Sequence, residues 1–295
     1  IEGHPVFVFN ADIEGAFDYV NQAVVLEKLQ TYPALKQLVR AWLTAGVIDG
    51  NTYTPSETGI AQGGVLSPLL MNVALHGMEA VVAEGSINDE ASKSALLVRY
   101  ADNFVIVHAN LQELQQAVRR VRHWLITIGL QFRADKTHFT HTLTPFQGQV
   151  GFDFLGFTIR QERAEKTTAS KRNQGVRTLV TPSQEASKRH LATLDSKLLQ
   201  LQTSPQAQVI KELNPLITGW VAYYNGVIAT TIMRQYDDLM EQRLLRWAGK
   251  HHPGKTREWL FGRYWYTVGK QKGVFGTHDG IQLRRYQQAS ILKGQ

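Results

Sequence analysis

The 295-residue chain contains no cysteine. That excludes disulfides and thiolate zinc sites, including any nuclease module built around paired cysteines, and it fits a reducing interior. No apolar run approaches the roughly 20 residues that a membrane span needs. The opening residues Ile1-Glu2-Gly3-His4-Pro5 lack a basic segment followed by an apolar one, so no secretory signal is visible. An initiator methionine is missing too, and a strand-like run starts at Val6. The expectation is therefore a fragment or a truncated copy. Ten histidines are present without any His-Glu-x-x-His spacing, and the neighbouring His251 and His252 cannot easily share one ion.

What is present divides unevenly. Residues 1–150 hold 10 basic and 14 acidic side chains, a net charge of −4, whereas residues 151–295 hold 22 and 11, a net charge of +11. Hydrophobic residues make up 43% of the chain, enough for one large core or two modest ones. A basic second half points to a nucleic-acid partner there; the alternative is a merely solvated basic surface.

The first half alternates strand and helix patterns. Val6-Phe7-Val8-Phe9 reads as a strand, and residues 21–43 as one or two amphipathic helices broken near Pro33. Residues 46–62 read as a hairpin turning at Gly50-Asn51, and a helix over 69–82 opens after Ser67-Pro68. Leu96–Tyr100 and Phe104–Val107 form a second hairpin around Ala101-Asp102-Asn103, followed by a helix over 111–128 that ends at Gly129. Two short strand pieces flank Gly156. The stretch 161–182 is polar and basic, a connection or irregular ribbon. Helices are then expected near 183–202, 205–227 and 231–250, with a shorter one around Trp259 and Phe261, and a loosely patterned tail from Gly269. The architecture is α+β, with an antiparallel sheet and packed helices followed by an all-α segment.

Asp12 ends one apolar strand and Asp102 lies in the turn between two others. If those strands share a sheet, the two carboxylates converge at its rim, although ninety residues separate them. Phosphoryl transfer with two magnesium ions needs such hard oxygen ligands, and positioning and charge neutralisation dominate its catalysis. Each aspartate taken alone also suits an ordinary turn or loop.

The further motifs come in a fixed order. Asp12-Ile13-Glu14-Gly15-Ala16-Phe17-Asp18, Gly59-Ile60-Ala61-Gln62-Gly63-Gly64-Val65-Leu66-Ser67-Pro68-Leu69, Tyr100-Ala101-Asp102-Asn103, Gly129-Leu130-Gln131-Phe132 with Lys136-Thr137, and Phe154-Leu155-Gly156-Phe157 follow one another. This series resembles the palm motifs of reverse transcriptases, and the long Gln-Gly-Gly-x-Leu-Ser-Pro-Leu-Leu form resembles the group II intron branch. The string from Leu213 to Asn225, then Leu245-Arg246-Trp247-Ala248 and His252-Pro253, is similar to the maturase thumb, or domain X, of the same proteins.

The resemblance implies a palm over 1–165, a helical thumb over 183–268, and the start of a DNA-binding region or tail over 269–295. It implies RNA-directed DNA polymerase activity with catalytic positions Asp12, Asp102 and Asn103, and magnesium, or manganese in its place, on Asp12, Asp102 and the Ile13 carbonyl. Ile13, Phe17, Gln62 and Lys136 would meet the incoming deoxynucleotide, with Phe17 excluding a 2′-hydroxyl. Phe154, Leu155 and Gly156 would grip the primer. Arg243, Arg246, Lys255, Arg257 and Arg263 would bind RNA beside thumb aromatics. Implied partners are structured intron RNA, an RNA template with a DNA primer, and dNTPs, with no membrane; a homodimer is compatible. The implied compartment is the bacterial cytoplasm or an organelle.

Two departures qualify the match. The family turn ends in a second aspartate where this chain has Asn103, whose amide offers one neutral oxygen, so weaker polymerisation is expected. The fingers and the endonuclease region of the family are expected to be missing. The alternatives are a polymerase-inactive RNA-binding maturase and a degenerate relic.

Overall fold

The computed structural model describes residues 4–84, 94–163, 175–268 and 271–289. Two compact units form, one of Ile1–Leu155 with Ile159–Leu179, the other of Gly156–Thr158 with Val180–Gln295.

The first unit runs β1 (Phe7–Ala11), α1 (Ala16–Tyr19), α2 (Gln22–Lys28), α3 (Pro33–Thr44), β2 (Val47–Asp49), β3 (Thr52–Thr54), α4 (Ser67–Ala74), α5 (Met78–Ala83), β4 (Leu96–Tyr100), β5 (Asn103–His108), α6 (Leu111–Thr127), a 3-10 turn (Ala134–Lys136), β6 (His138–His141) and β7 (Phe152–Phe154). Strands β8 (Phe157–Arg163) and β9 (Val176–Pro182) complete a small sheet in the order β7-β8-β9. The main sheet has the order β4-β5-β1-β6, with every neighbouring pair antiparallel.

Alternation along β1 and β5 assigns each residue to a face. Phe9, Ala11, Phe104 and Ile106 enter the core beneath the helices, while Val8, Val105 and Val107 pack on the opposite face against Phe152. Helix α6 covers the first face with Leu114, Ala117, Val118, Val121 and Leu125, the 3.6-residue stripe expected of an amphipathic helix. The Asn110 side chain caps it by accepting from the Gln112 and Glu113 amides, and Gly129 ends it at φ 82°. The hairpin at Gly50-Asn51 is present but short, and residues after Thr54 form a loop. The helix expected over 69–82 is two helices, because Gly77 at φ 96° interrupts it. Of the polar stretch 161–182, residues 161–163 end β8 and the whole of β9 is regular strand, while 164–174 lie outside the described residues.

The second unit contains α7 (Gln184–Gln200), α8 (Gln206–Tyr224), α9 (Thr230–His251), α10 (Arg257–Tyr264), β10 (Trp265–Val268), β11 (Gln271–Phe275) and α11 (Tyr286–Ala289). Its core joins Leu194, Leu198, Ile210, Leu213, Ile217, Trp220, Met240, Leu244 and Trp247. The segment expected to be all-helical ends in strand β10, and the loosely patterned tail supplies its partner β11 and a last helix, which this core absorbs through Phe275, Leu283 and Tyr286. Asp237 fixes α11 by accepting from the Tyr286 and Gln287 amides at 2.7 and 3.3 Å. No described helix is long and apolar enough to cross a membrane.

His190 lies among these rings, stacked on Trp220 and 2.6 Å from the Tyr286 hydroxyl. Burial, helped by the nearby Arg243 cation, pulls its pKa from 6.5 down to about 4. Between those values the unfolded chain binds more protons than the folded one. Stability should therefore be intact above pH 6.5 and should decline as the pH falls towards 4. Urea titrations at pH 7.5 and pH 5 are expected to show that decline, and His190→Gln should flatten it.

Candidate active site

The β1–β5 register brings the two aspartates together. Phe7 pairs with His108 and so on to Ala11 with Phe104, so the next rung sets Asp12 across from Asn103. Asp12 is on the same face as Val8, away from the helical core. Tyr100 pairs with Asn103, leaving Ala101 and Asp102 as a two-residue turn. Asp102 therefore stands at the same end of the sheet as Asp12. The Asn103 amide nitrogen donates to Asp102 Oδ1 at 3.4 Å.

The turn is held under strain. Ala101 has φ 55°, a left-handed conformation that costs a residue with a Cβ about 1–2 kcal/mol. Arg99 supports it: one guanidinium nitrogen donates to the Ala101 carbonyl at 3.1 Å and to Asn72 Oδ1 at 2.9 Å, and two others reach Glu79 at 3.2 and 3.3 Å. The sequence assigns Arg99 no role, because its partners lie in helices and a turn that only the fold brings together.

Ile13 forms an isolated antiparallel bridge with Phe132. The two bonds run from the Glu14 amide to the Gln131 carbonyl and from the Arg133 amide to the Asp12 carbonyl, at 3.0 and 2.8 Å. In such a pair the central residues turn their own peptide groups to the other edge. The Ile13 carbonyl is thus directed to the β5 side, where Asp102 lies. The same bridge aims two cations at Asp12. Lys136 Nζ and Arg133 Nη1 stand 3.5 and 3.8 Å from Asp12 Oδ2, and Arg133 Nε stands 3.4 Å from Asp135.

Phe17, in α1, and Gln62, in the loop before α4, sit on two segments held together by hydrogen bonds to main-chain carbonyls. The Ile60 amide donates to the Phe17 carbonyl at 2.6 Å, the Gly59 amide to the Val20 carbonyl at 2.9 Å, and the Thr58 hydroxyl to the Asp18 carbonyl at 3.2 Å. Gly59 permits this contact: its φ is 78°, and a Cβ there would fall 2.5 Å from the Phe17 carbonyl oxygen. Gln22, buried beneath, donates to the carbonyls of Leu43 and Gly59 at 2.9 and 3.1 Å. Gln62 donates to Asp18 Oδ1 at 2.9 Å; since a carboxylate only accepts, the Gln62 amide oxygen points elsewhere. The Phe17 ring is half-buried against the core, and the following Val65 and Leu69 are exposed. Sequence reading misses Gln22 and Asp18, whose roles depend on partners distant in the chain.

Leu155 and Gly156 have φ 49° and 79°, the two positive values of a tight hairpin turn between β7 and β8. Phe154 packs with Val6 and Ile159 on the Val8 face of the sheet, and the Gly156 carbonyl accepts from the Ser183 amide and the Tyr224 hydroxyl at 2.8 and 3.0 Å.

Of the five thumb cations, Arg243 differs from the rest. Its side chain is 11% exposed, ion-paired to Asp195 at 3.0 Å and bonded to the Leu239 carbonyl. It ties α7 to α9 and has little left for a phosphate. Arg246, Lys255, Arg257 and Arg263 are exposed. Lys255 lies 5.2 Å over the Trp259 ring, Arg257 5.3 Å over Phe261 and Arg263 5.8 Å over Tyr264. Trp220 and Trp247 are core, whereas Trp259 is 39% exposed.

Among the described residues no three His, Asp or Glu side chains cluster as a metal site. The rim offers instead two carboxylates, the Asn103 amide oxygen and the Ile13 carbonyl. These are hard oxygen donors of the kind magnesium takes, with less negative charge than three carboxylates would give. Such a donor set would fit a divalent ion, and Arg133 and Lys136 stand at the Asp12 oxygen that it would use.

Residues 2–159 match the family described as reverse transcriptase (RNA-dependent DNA polymerase). The chain belongs to that family. Residues 187–265 match a second description, group II intron, maturase-specific domain. Among curated relatives, Protein YkfC of Escherichia coli (strain K12) is 23% identical over 228 residues, covering 67% of this chain and 56% of that protein. Group II intron-encoded protein LtrA of Lactococcus lactis subsp. cremoris is 27% identical over 118 residues, covering 39% of this chain and 18% of that protein. The chain thus spans about half the length of the first relative and less of the second. Similar solved structures include apo telomerase from Candida tropicalis, with a TM-score of 0.42 over 53% of this chain and 34% of that one. Telomerase from Candida albicans in complex with a TWJ fragment of telomeric RNA has a TM-score of 0.41 over 88% and 48%. Both are 15% identical to this chain.

Proposed function

We propose that this reverse transcriptase adds deoxynucleotides to a primer 3′ end on an RNA template, and that its maturase-specific segment binds structured intron RNA. The observation that carries the reading is the register that sets Asp12 and Asp102 at one end of adjacent strands. In this reading residues 1–165 are the palm, 183–268 the thumb, and 269–295 the start of a further region or tail.

Asp12, Asp102 and the Ile13 carbonyl would hold magnesium, with Asn103 a weak fourth donor. The ion would supply charge neutralisation at the transferring phosphoryl group and lower the pKa of the primer 3′ hydroxyl. Phe17 would lie under the sugar and exclude a 2′-hydroxyl. Gln62, anchored by Asp18, would present its amide oxygen to the nucleotide or the templating pair. Lys136 would neutralise the triphosphate. Phe154, Leu155 and Gly156 would seat the primer end. Arg246, Lys255, Arg257 and Arg263, with Trp259 as a stacking face, would grip RNA phosphates and unpaired bases, while Arg243 holds the helices that present them.

Primer extension on an RNA template with magnesium is the test. Extension that Asp12→Ala abolishes supports the polymerase reading. A second reading, an RNA-binding maturase with a silent polymerase site, draws on Asn103 and on the two cations bound to Asp12. It would prevail if neither the chain nor its Asn103→Asp variant extends primers while both bind structured RNA with steep salt dependence.

A further inference from the structure

We propose that Arg133 is a positioning residue that occupies Asp12 in the free protein and exchanges onto the nucleotide's phosphates when a divalent cation enters. The inference rests on the reading of Asp12 and Asp102 as cation ligands.

The Arg133 amide donates to the Asp12 carbonyl at 2.8 Å, so strand pairing fixes the backbone of one residue to that of the other. From this anchor the guanidinium lies between Asp12 Oδ2 at 3.8 Å and Asp135 Oδ1 at 3.4 Å. Lys136 approaches the same Asp12 oxygen at 3.5 Å. A divalent cation on Asp12 has to displace both positive groups from that oxygen, since like charges within a few ångströms repel strongly at a partly buried rim. Arg133 cannot travel far, because its main chain stays bonded to Asp12. Its side chain is 45% exposed, so on leaving Asp12 the guanidinium has solvent to turn into. The planar five-donor fork of a guanidinium matches phosphate oxygens, and the triphosphate is the anion that would arrive with the metal. Asp135 offers the resting partner to which the fork returns when the nucleotide leaves.

The exchange predicts effects of opposite sign on two ligands. Removing the guanidinium should strengthen cation binding at the rim and weaken nucleotide binding. A residue that merely supported the fold would weaken both.

The test uses the full chain without primer, manganese followed by electron paramagnetic resonance, and dTTP followed by calorimetry at saturating magnesium, where the cation has already displaced Arg133 from Asp12. Asp12→Ala marks which manganese sites belong to the rim. Arg133→Gln is expected to bind manganese at the Asp12-dependent site roughly three- to tenfold more tightly, and dTTP more weakly by a similar factor. Arg133→Lys keeps the charge and should lie between. The proposal is overturned if Arg133→Gln leaves the manganese affinity unchanged, or lowers both affinities together, while the Asp12-dependent site persists; the cation-ligand reading then stands. Should no manganese site respond to Asp12→Ala, both readings fall.

Discussion

Asn103→Asp is expected to raise magnesium-dependent primer extension by about ten- to thousand-fold, one factor of ten for each ~1.4 kcal/mol gained at the transition state. In the present chain the residue-103 amide donates to Asp102 Oδ1. Its nitrogen neutralises part of the charge on Asp102, and its oxygen brings no charge of its own. A carboxylate at 103 would instead face Asp102 as a like charge and would stand on the rung opposite Asp12. Three acids so close repel one another until a cation arrives, so the variant should be slightly less stable in chelator and should gain stability on adding magnesium. Extension assayed across a magnesium series should show a higher plateau and a lower half-saturating concentration. A variant whose extension and magnesium dependence match the parent would mean that Asn103 lies outside the reacting centre.

The second large effect concerns stability. Trp247→Ala should cost about 3–5 kcal/mol, the range for removing a large aromatic from a packed core. Trp247 is 3% exposed, and its indole nitrogen donates to the Leu201 carbonyl at 2.9 Å. Its ring contacts His251, Tyr264 and Phe275, so one side chain links α9 to α10 and to the last hairpin. Truncation would leave a cavity and take one of two donors from the Leu201 carbonyl, which keeps the Ser204 amide at 3.1 Å. Trp247→Phe should keep most of the ring contacts and cost only about 1 kcal/mol through the lost hydrogen bond. Urea unfolding followed by far-ultraviolet circular dichroism would separate the two variants. A marginal loss for Trp247→Ala would place this ring at the surface and return it to the candidates for RNA stacking.

Elements whose own residues carry the signal were legible in the sequence. Helix α6 shows its apolar stripe and both of its end signals. The hairpin around Ala101 and Asp102 is spelled by two apolar runs with a short polar break, whereas placing Asp12 at the same end needs β1 beside β5, which the sequence carries only as a condition. What escaped depends on partners far along the chain. Strand β9 (Val-Arg-Thr-Leu-Val-Thr-Pro) has a strand-like run of β-branched residues that the polar, basic stretch before it conceals. The β10–β11 hairpin has Gly and Lys where apolar alternation would have announced it. Arg243 reads as one more thumb cation until Asp195 is found beside it. Arg133 looks like a surface residue until the Ile13–Phe132 bridge turns it towards Asp12.

The bonded segments that carry Phe17 and Gln62 leave little slack between their backbones. Their spacing is set by peptide groups lying against peptide groups at Gly59, not by the rotamers of the side chains. The two backbone segments therefore shift as one plate, and substitutions at the neighbouring surface can change the chemistry beside them without changing their spacing.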